Sequence, residues 1–559
     1  MLRSQKILQP TDIGKLSLFK SMGFSDFELK SDRPLIGIAN SWNTIVPGHF
    51  NLNQISEYVQ RGIYANGGTP VEFGVIGICD GFGQGNVGMH YPLAGRDLIA
   101  SSVEVMAEAH QLDGLVLLAS CDKNIPGMLM AAARLNLPTI VCVGGPMEGG
   151  IEFDGRKADT TTATEALGMY KAGIITKDEF EGLEDSICPG CGSCAFLGTA
   201  NTMSALTEAL GLALPGSGTI PAVYAERLRS SFEAGRCIVD LCKKGIRSRD
   251  ILTPAAIRNA IRITLAIAGS TNAVLHLAAV AREAELDVDV MAEVERFNDK
   301  IPQIAAVFPS GKANVCDFHL AGGVPRVEKN LGADNYEYDT LTVTGRTKGE
   351  NIAVFRFTYP ENTDVIRPLD NPFKKTGGLK VMHGNLCPDT GISKPAAIAP
   401  EARHFVGTAV CFNREEDANQ AILDGKIKAG DVLVVRYEGP KGGPGMRELY
   451  KAMKLLYGLS LNKSTALITD GRFSGTNNGC FVGHISPEAS EGGPIALVED
   501  GDKILIDVDE GRLELLVEED VLAQRRKNWK CPEKEIPGGY LKLYAAHAGS
   551  ANRGAVIEM

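Results

Sequence analysis

The sequence predicts an α/β protein: a large N-terminal parallel-sheet α/β domain followed by a smaller C-terminal β-barrel-like domain. Three observations predict it. Short apolar runs alternate with amphipathic stretches as far as Gly145. Beyond Gly378 the texture changes to strands separated by Gly/Asp turns. The 559 residues also exceed what one hydrophobic core organises.

In chain order, Leu35 to Ala39, Gly74 to Ile78, Gly114 to Ala119 and Thr139 to Gly144 read as buried strands, and residues 51–65, 95–112 and 127–136 as helices. Strands apolar along their whole length are covered on both faces, so the sheet is parallel and its functional places are the loops at the strands' carboxyl ends. Residues 196–212 and 255–283 continue as helical segments, and 334–365 is turn-rich. Tyr359 to Gly378, with three prolines and Gly377-Gly378, reads as a linker, giving domains at 1–370 and 371–559. In the second domain Val432 to Val435, Ala466 to Ile468, Ile495 to Val498, Ile504 to Val508 and Leu513 to Val517 read as strands of a barrel.

Composition excludes several function classes. A net charge of -11 leaves no broad basic surface to neutralise phosphates, so no nucleic-acid partner is expected. Apolar runs such as Leu115 to Ala119 fall far short of a membrane span and the first residues show no signal-peptide pattern, so the expected compartment is the cytoplasm, with no membrane partner. Thirteen cysteines without a secretion signal point to buried thiols or metal ligands rather than a disulfide framework.

The strand Gly114–Ala119 runs into Ser120-Cys121-Asp122-Lys123-Asn124, packing a thiol, a carboxylate and an amine into one strand-to-helix turn. Backbone N–H groups there favour thiolates and anionic ligands. A capped turn with a buried cysteine is the plainer alternative. Cys188-Pro189-Gly190-Cys191-Gly192-Ser193-Cys194 is the densest cysteine cluster. Its spacing suits iron–sulfur or zinc ligation, and the lack of a second close pair favours iron–sulfur. Asp80, in Ile78-Cys79-Asp80-Gly81, either caps a turn or aims a carboxylate into a cleft where a hard cation would seek oxygen ligands. The glycine spacing that follows it fits neither a dinucleotide fingerprint nor a P-loop.

Arg436 to Glu448 holds four glycines and two prolines, so it forms an irregular loop of the kind that carries function. Asp470-Gly471-Arg472-Phe473-Ser474-Gly475 sets a hydroxyl on a tight turn after a strand. Without a Gly-x-Ser-x-Gly context it is not an ordinary hydrolase nucleophile, and a turn-capping serine is the alternative.

Taken together, the Cys-Asp-Lys turn, the Glu-Gly-Pro-Lys-Gly-Gly-Pro-Gly-Met loop and the Asp-Gly-Arg-Phe-Ser-Gly turn resemble the family of dihydroxy-acid, sugar-acid and phosphogluconate dehydratases. The resemblance runs from Asn40-Ser41-Trp42-Asn43 to Ser550-Ala551-Asn552-Arg553. It implies a hydro-lyase with an iron–sulfur cluster (2Fe–2S or 4Fe–4S) on Cys121 and Cys194. It also implies Mg2+ on Asp80, Asp122, Glu448 and a carbamylated Lys123, with Ser474 as the base. The implied partner is a small dihydroxy acid and the implied assembly a homodimer or homotetramer.

Two departures stand out. Val46-Pro47-Gly48-His49 lacks the cysteine that two-iron members carry there, which leaves Cys79, Cys188 and Cys191 as candidates for a third ligand. The segments around Cys79 and Gln84 look like phosphogluconate dehydratase, whereas Gly442 to Glu448 and Leu341 to Gly345 look like the branched-chain enzyme. Thr476-Asn477-Asn478 is the commonest form of neither. The balance favours 2,3-dihydroxy-3-methyl acids, with aldonates or phosphogluconate as the alternative substrates.

Overall fold

The computed structural model describes residues 2–30, 32–475, 479–536 and 538–558, so Thr476, Asn477 and Asn478 lie outside the described residues. The first sheet has four parallel strands, β1 (Leu35–Asn40), β2 (Thr69–Gly74), β3 (Gly114–Ala119) and β4 (Thr139–Val143), in the order β2-β1-β3-β4. β1, β3 and β4 are buried at every position, as continuous apolar strands require. The chain moves one way from β1 to β2 and the other way through β3 to β4. Right-handed crossovers therefore put α1 (Leu52–Ala65) on one face and α2 (Tyr91–Ala109) with α3 (Asn124–Leu135) on the other.

One predicted strand is misplaced. Gly74 to Ile78 is not a strand: β2 ends at Gly74, where its pairing with Asn40 ends, and 75–79 leaves the sheet as a loop leading to Asp80. The apolar residues there, Val75 and Ile78, pack without extending the ladder, which periodicity cannot distinguish.

A small hairpin, β5 (Glu152–Phe153) and β6 (Arg156–Lys157), precedes the helices α4 (Thr160–Lys171), α5 (Thr199–Ala209), α6 (Ala225–Lys244), α7 (Pro254–Ala266) and α8 (Asn272–Glu283). The second sheet has eight strands: β7 (Lys380–Met382), β8 (Thr390–Ser393), β9 (His404–Phe412), β10 (Asp431–Val435), β11 (Ala466–Thr469), β12 (Cys480–Ser486), β13 (Lys503–Asp507) and β14 (Arg512–Leu515). They are ordered β14-β13-β9-β10-β11-β12-β8-β7. A bridge from His383, just after β7, to Arg512 in β14 brings the two edges together, so the sheet is a nearly closed barrel.

The barrel departs from a plain series of hairpins. β9 to β12 are parallel, with α9 (Glu415–Leu423) and α10 (Tyr450–Gly458) as crossovers, so the functional loops again leave carboxyl ends of strands. Ile495 to Val498, expected as a strand, is a 3-10 turn over Pro494–Leu497. Pro494 fixes φ and removes a ladder donor, while the apolar side chains still join the barrel core.

Candidate active site

Both sheets deliver their carboxyl-end loops to one cavity of about 530 Å³. Cys79, Asp80, Cys121, Asp122, Cys194, Glu448 and Ser474 all line it. Five segments reach this point: the loop after β2, the turn after β3, the approach to α5, and the loops after β10 and β11.

One ligand atom each from Asp80, Asp122 and Glu448 can be drawn within 4.8 Å of one another. Asp80 Oδ2 accepts from Lys123 Nζ at 2.9 Å and from Arg472 Nη2 at 3.2 Å, while its Oδ1 is buried with no hydrogen-bond partner. Lys123 Nζ is 3.8 Å from Asp122 Oδ2 and is fully buried. Glu448 accepts from Asn272 Nδ2 at 3.1 Å and from Arg472 Nη1, and Arg472 Nε donates to the Met446 carbonyl at 2.7 Å. Arg472 thus ties the N-terminal carboxylate to the C-terminal one.

Electrostatics follow the packing. Burial raises Asp80, but Lys123 and Arg472 outweigh it and hold the carboxyl below its usual range. Burial pushes Asp122 up to about 7, against the pull of Lys123 and with the Asp80 and Glu448 carboxylates adding to the rise. Three crowded carboxylates, with a buried oxygen left unpartnered, fit a hard divalent cation.

The thiols form a second group beside the carboxylates. Cys79 and Cys121 bear on each other: the Cys121 thiol holds Cys79 below the usual thiol range, and Cys79, with burial, pushes Cys121 well above it. Burial likewise raises Cys194, whose sulfur accepts from Thr160 Oγ1 at 3.7 Å. Cys121 has φ +63°, a left-handed conformation uncommon for a residue with a side chain, and it turns the chain sharply out of β3. Three adjacent sulfurs cannot all ionise unless a multivalent positive charge joins them, so the set suits a metal cluster.

The structure therefore brings together all seven residues picked from the sequence: Asp80, Cys121, Asp122, Lys123, Cys194, Glu448 and Ser474. Of the three candidate extra thiols only Cys79 joins them. Cys188 is exposed and Cys191 half-buried, and neither lines the cavity. Gly48 lies against the thiols, since a Cβ there would stand 2.8 Å from Cys121 Sγ. The Arg472 and Asn272 contacts were not visible in the sequence. Their signal was the dense polar turn Asp470 to Ser474 and the Ser270-Thr271-Asn272 segment.

The chain matches two family models, dihydroxy-acid/6-phosphogluconate dehydratase N-terminal over residues 33–351 and C-terminal over 364–555. It is 49% identical over 545 residues to a dihydroxy-acid dehydratase of Acetivibrio thermocellus, covering 97% of each chain. It is 50% identical over 543 residues to those of Caldanaerobacter subterraneus, covering 97% of this chain and 96% of the relative, and of Pyrococcus furiosus, covering 97% of each. On both halves of its length, the chain belongs to the dihydroxy-acid/6-phosphogluconate dehydratase family.

Proposed function

We propose that the chain is a hydro-lyase that dehydrates 2,3-dihydroxy carboxylic acids to 2-oxo acids. Its main substrate is then 2,3-dihydroxy-3-methylbutanoate, converted to 3-methyl-2-oxobutanoate in valine and isoleucine biosynthesis. The observation that carries this is the meeting of three thiols, three carboxylates and a serine hydroxyl around one cavity. The relatives named dihydroxy-acid dehydratase support it.

In this reading Cys79, Cys121 and Cys194 hold an iron–sulfur cluster, and Asp80, Asp122, Glu448 and a carbamylated Lys123 hold Mg2+. When bound, these groups supply Lewis acidity toward the substrate's oxygens. As its alkoxide, Ser474 Oγ takes the C2 proton; the electron pair forms the C2–C3 double bond as the C3 hydroxyl departs and takes that proton from Ser474 to leave as water, and the enol tautomerises to the 2-oxo acid. Carbamylation turns Lys123 from a cation into an anion, leaving Arg472 to hold Asp80 and Glu448 together. Met147, Ala163, Leu167 and Ala200 in the lining suit methyl substituents. Gln84 in the same lining favours the second reading, an aldonate or phosphogluconate substrate.

We further propose domains at 1–370 and 371–559, a cytoplasmic setting and a homodimer or homotetramer. Thirteen free cysteines fit a reducing compartment. No helix among the described residues is long and apolar enough to cross a membrane. Exposed Ile13, Leu18 and Met22 fit self-association. The test is anaerobic purification with iron and sulfide quantification, followed by parallel 2-oxo-acid assays on dihydroxyisovalerate, gluconate, xylonate and phosphogluconate. The branched-chain acid should have the highest kcat/KM; turnover of a sugar acid alone would replace the reading.

A further inference from the structure

The site described so far leaves open how Ser474 becomes basic enough to take a carbon-bound proton. A serine hydroxyl is a poor base unless nearby positive charge stabilises its alkoxide. The side chains behind the turn, rather than those facing the cavity, supply a candidate.

Lys394 follows β8, the barrel strand paired with β12, and is fully buried. Its Nζ donates to the Gly475 carbonyl at 2.8 Å, the residue immediately after Ser474. Among the described residues no carboxylate lies within ion-pair distance of it. The charged groups that bear on it are two other lysines. Lys374 is bound to the carbonyls of Pro395 and Ala396, and Lys454 is paired with Glu165 at 2.8 Å. Gly475 is gripped from the other side too: a Cβ there would stand 2.8 Å from Gly198 Cα and 3.0 Å from Ser270 Cβ.

We propose that Lys394 is a positioning residue for Ser474: its buried ammonium fixes the Ser474–Gly475 turn and stabilises negative charge on the Ser474 oxygen. An ammonium buried without a counter-ion is costly, and its pKa is pushed down to about 7 by burial. Any anion formed nearby relieves that cost, and by reciprocity the ammonium favours the anion. The anion it favours is the Ser474 alkoxide, formed when the hydroxyl gives its proton to solvent before the C2 proton is taken; Ser474 is the residue next to the Gly475 carbonyl that Lys394 holds. Lys394 keeps its own proton throughout; the proton that moves goes from substrate C2 to Ser474 Oγ.

The inference rests on Ser474 being the base, so the experiment separates the two. Anaerobically loaded holoenzyme is compared as wild type, K394Q, K394R and S474A, with rates normalised to iron content and exchange of the substrate's C2 hydrogen followed in D2O. Lys394→Gln keeps a donor and loses the charge; its kcat should fall about a hundredfold, as for removing one preorganised electrostatic group. KM and iron content should stay within about twofold of wild type. Lys394→Arg keeps the charge and should recover at least tenfold of the loss. Near-normal kcat in K394Q, or K394R no better than K394Q, overturns the role of Lys394 even if Ser474→Ala is inactive. Continued C2 exchange in S474A removes the base role itself, whatever the lysine variants do.

Discussion

Two buried carboxylate–lysine clusters in this molecule differ in what they leave unfinished. In one, Lys348 Nζ donates to Glu328 at 2.7 Å, the Tyr336 hydroxyl donates to the same oxygen at 2.6 Å, and the Gly216 and Gly218 backbone N–H groups donate to Glu208. No buried oxygen of Glu208 or Glu328 lacks a partner among the described residues, and neither residue lines the 530 Å³ cavity. In the other, Asp80, Asp122 and Glu448 crowd around Lys123 and Arg472 with Asp80 Oδ1 unpartnered, beside three thiols. Buried charge alone is therefore a poor mark of a cation site; the proposed one adds spare acceptor capacity on residues that line a cavity.

The comparison breaks first at the thiols. Cys121→Ser and Cys194→Ser should each abolish iron–sulfur absorbance and turnover, and Cys79→Ser should reduce bound iron, whereas Cys188→Ser and Cys191→Ser should leave both near wild type. Full iron and sulfide in Cys121→Ser and Cys194→Ser would remove the cluster assignment. Next in size is Ser474→Ala, expected to lower turnover by roughly a hundredfold or more while metal content stays unchanged.

Removing one partner from the satisfied cluster should act on stability and not on chemistry. Lys348→Met leaves Glu328 buried without its cation and should cost about 3–5 kcal/mol of unfolding free energy. Activity per folded molecule should persist; chemical denaturation and a rate normalised to folded protein check both parts. The smallest effect concerns pH. Burial, with the Glu328 charge adding, pushes Glu208 up to about 8. A carboxyl with a raised folded pKa contributes stability that is present below its unfolded value near 4.5 and is lost as pH rises through about 8. Glu208→Gln should flatten the fall in Tm across that window; an unchanged pH slope would contradict this.

Much of the fold was legible because β3 is an uninterrupted apolar run ending in a polar turn and β4 is a largely apolar run ending at Gly144-Gly145-Pro146, and the turn after β3 carries Cys121, Asp122 and Lys123 in consecutive positions. What was not legible depends on three-dimensional convergence. Cys188, Cys191 and Cys194 are evenly spaced along the chain, yet only Cys194 reaches the cavity. The sulfur that joins Cys121 in the cavity lining is Cys79, which arrives from β2, across β1 from β3. Arg472 could be seen in its turn, but the two carboxylates it joins, Asp80 and Glu448, lie far apart in sequence. Lys394 sits in an unremarkable segment, and only the pairing of β8 with β12 sets it behind Ser474.

The central claim, that Asp80, Asp122 and Glu448 hold a divalent cation while Glu208 and Glu328 do not, is tested most directly by Mn2+ titration followed by electron paramagnetic resonance. Mn2+ prefers the same oxygen ligands as Mg2+. Holoenzyme, Glu448→Gln and Glu328→Gln would be titrated side by side. The account predicts one tight Mn2+ per chain in the wild type and in Glu328→Gln, and its loss in Glu448→Gln with iron content preserved. Equal Mn2+ binding by Glu448→Gln and wild type, or its loss in Glu328→Gln, would contradict it.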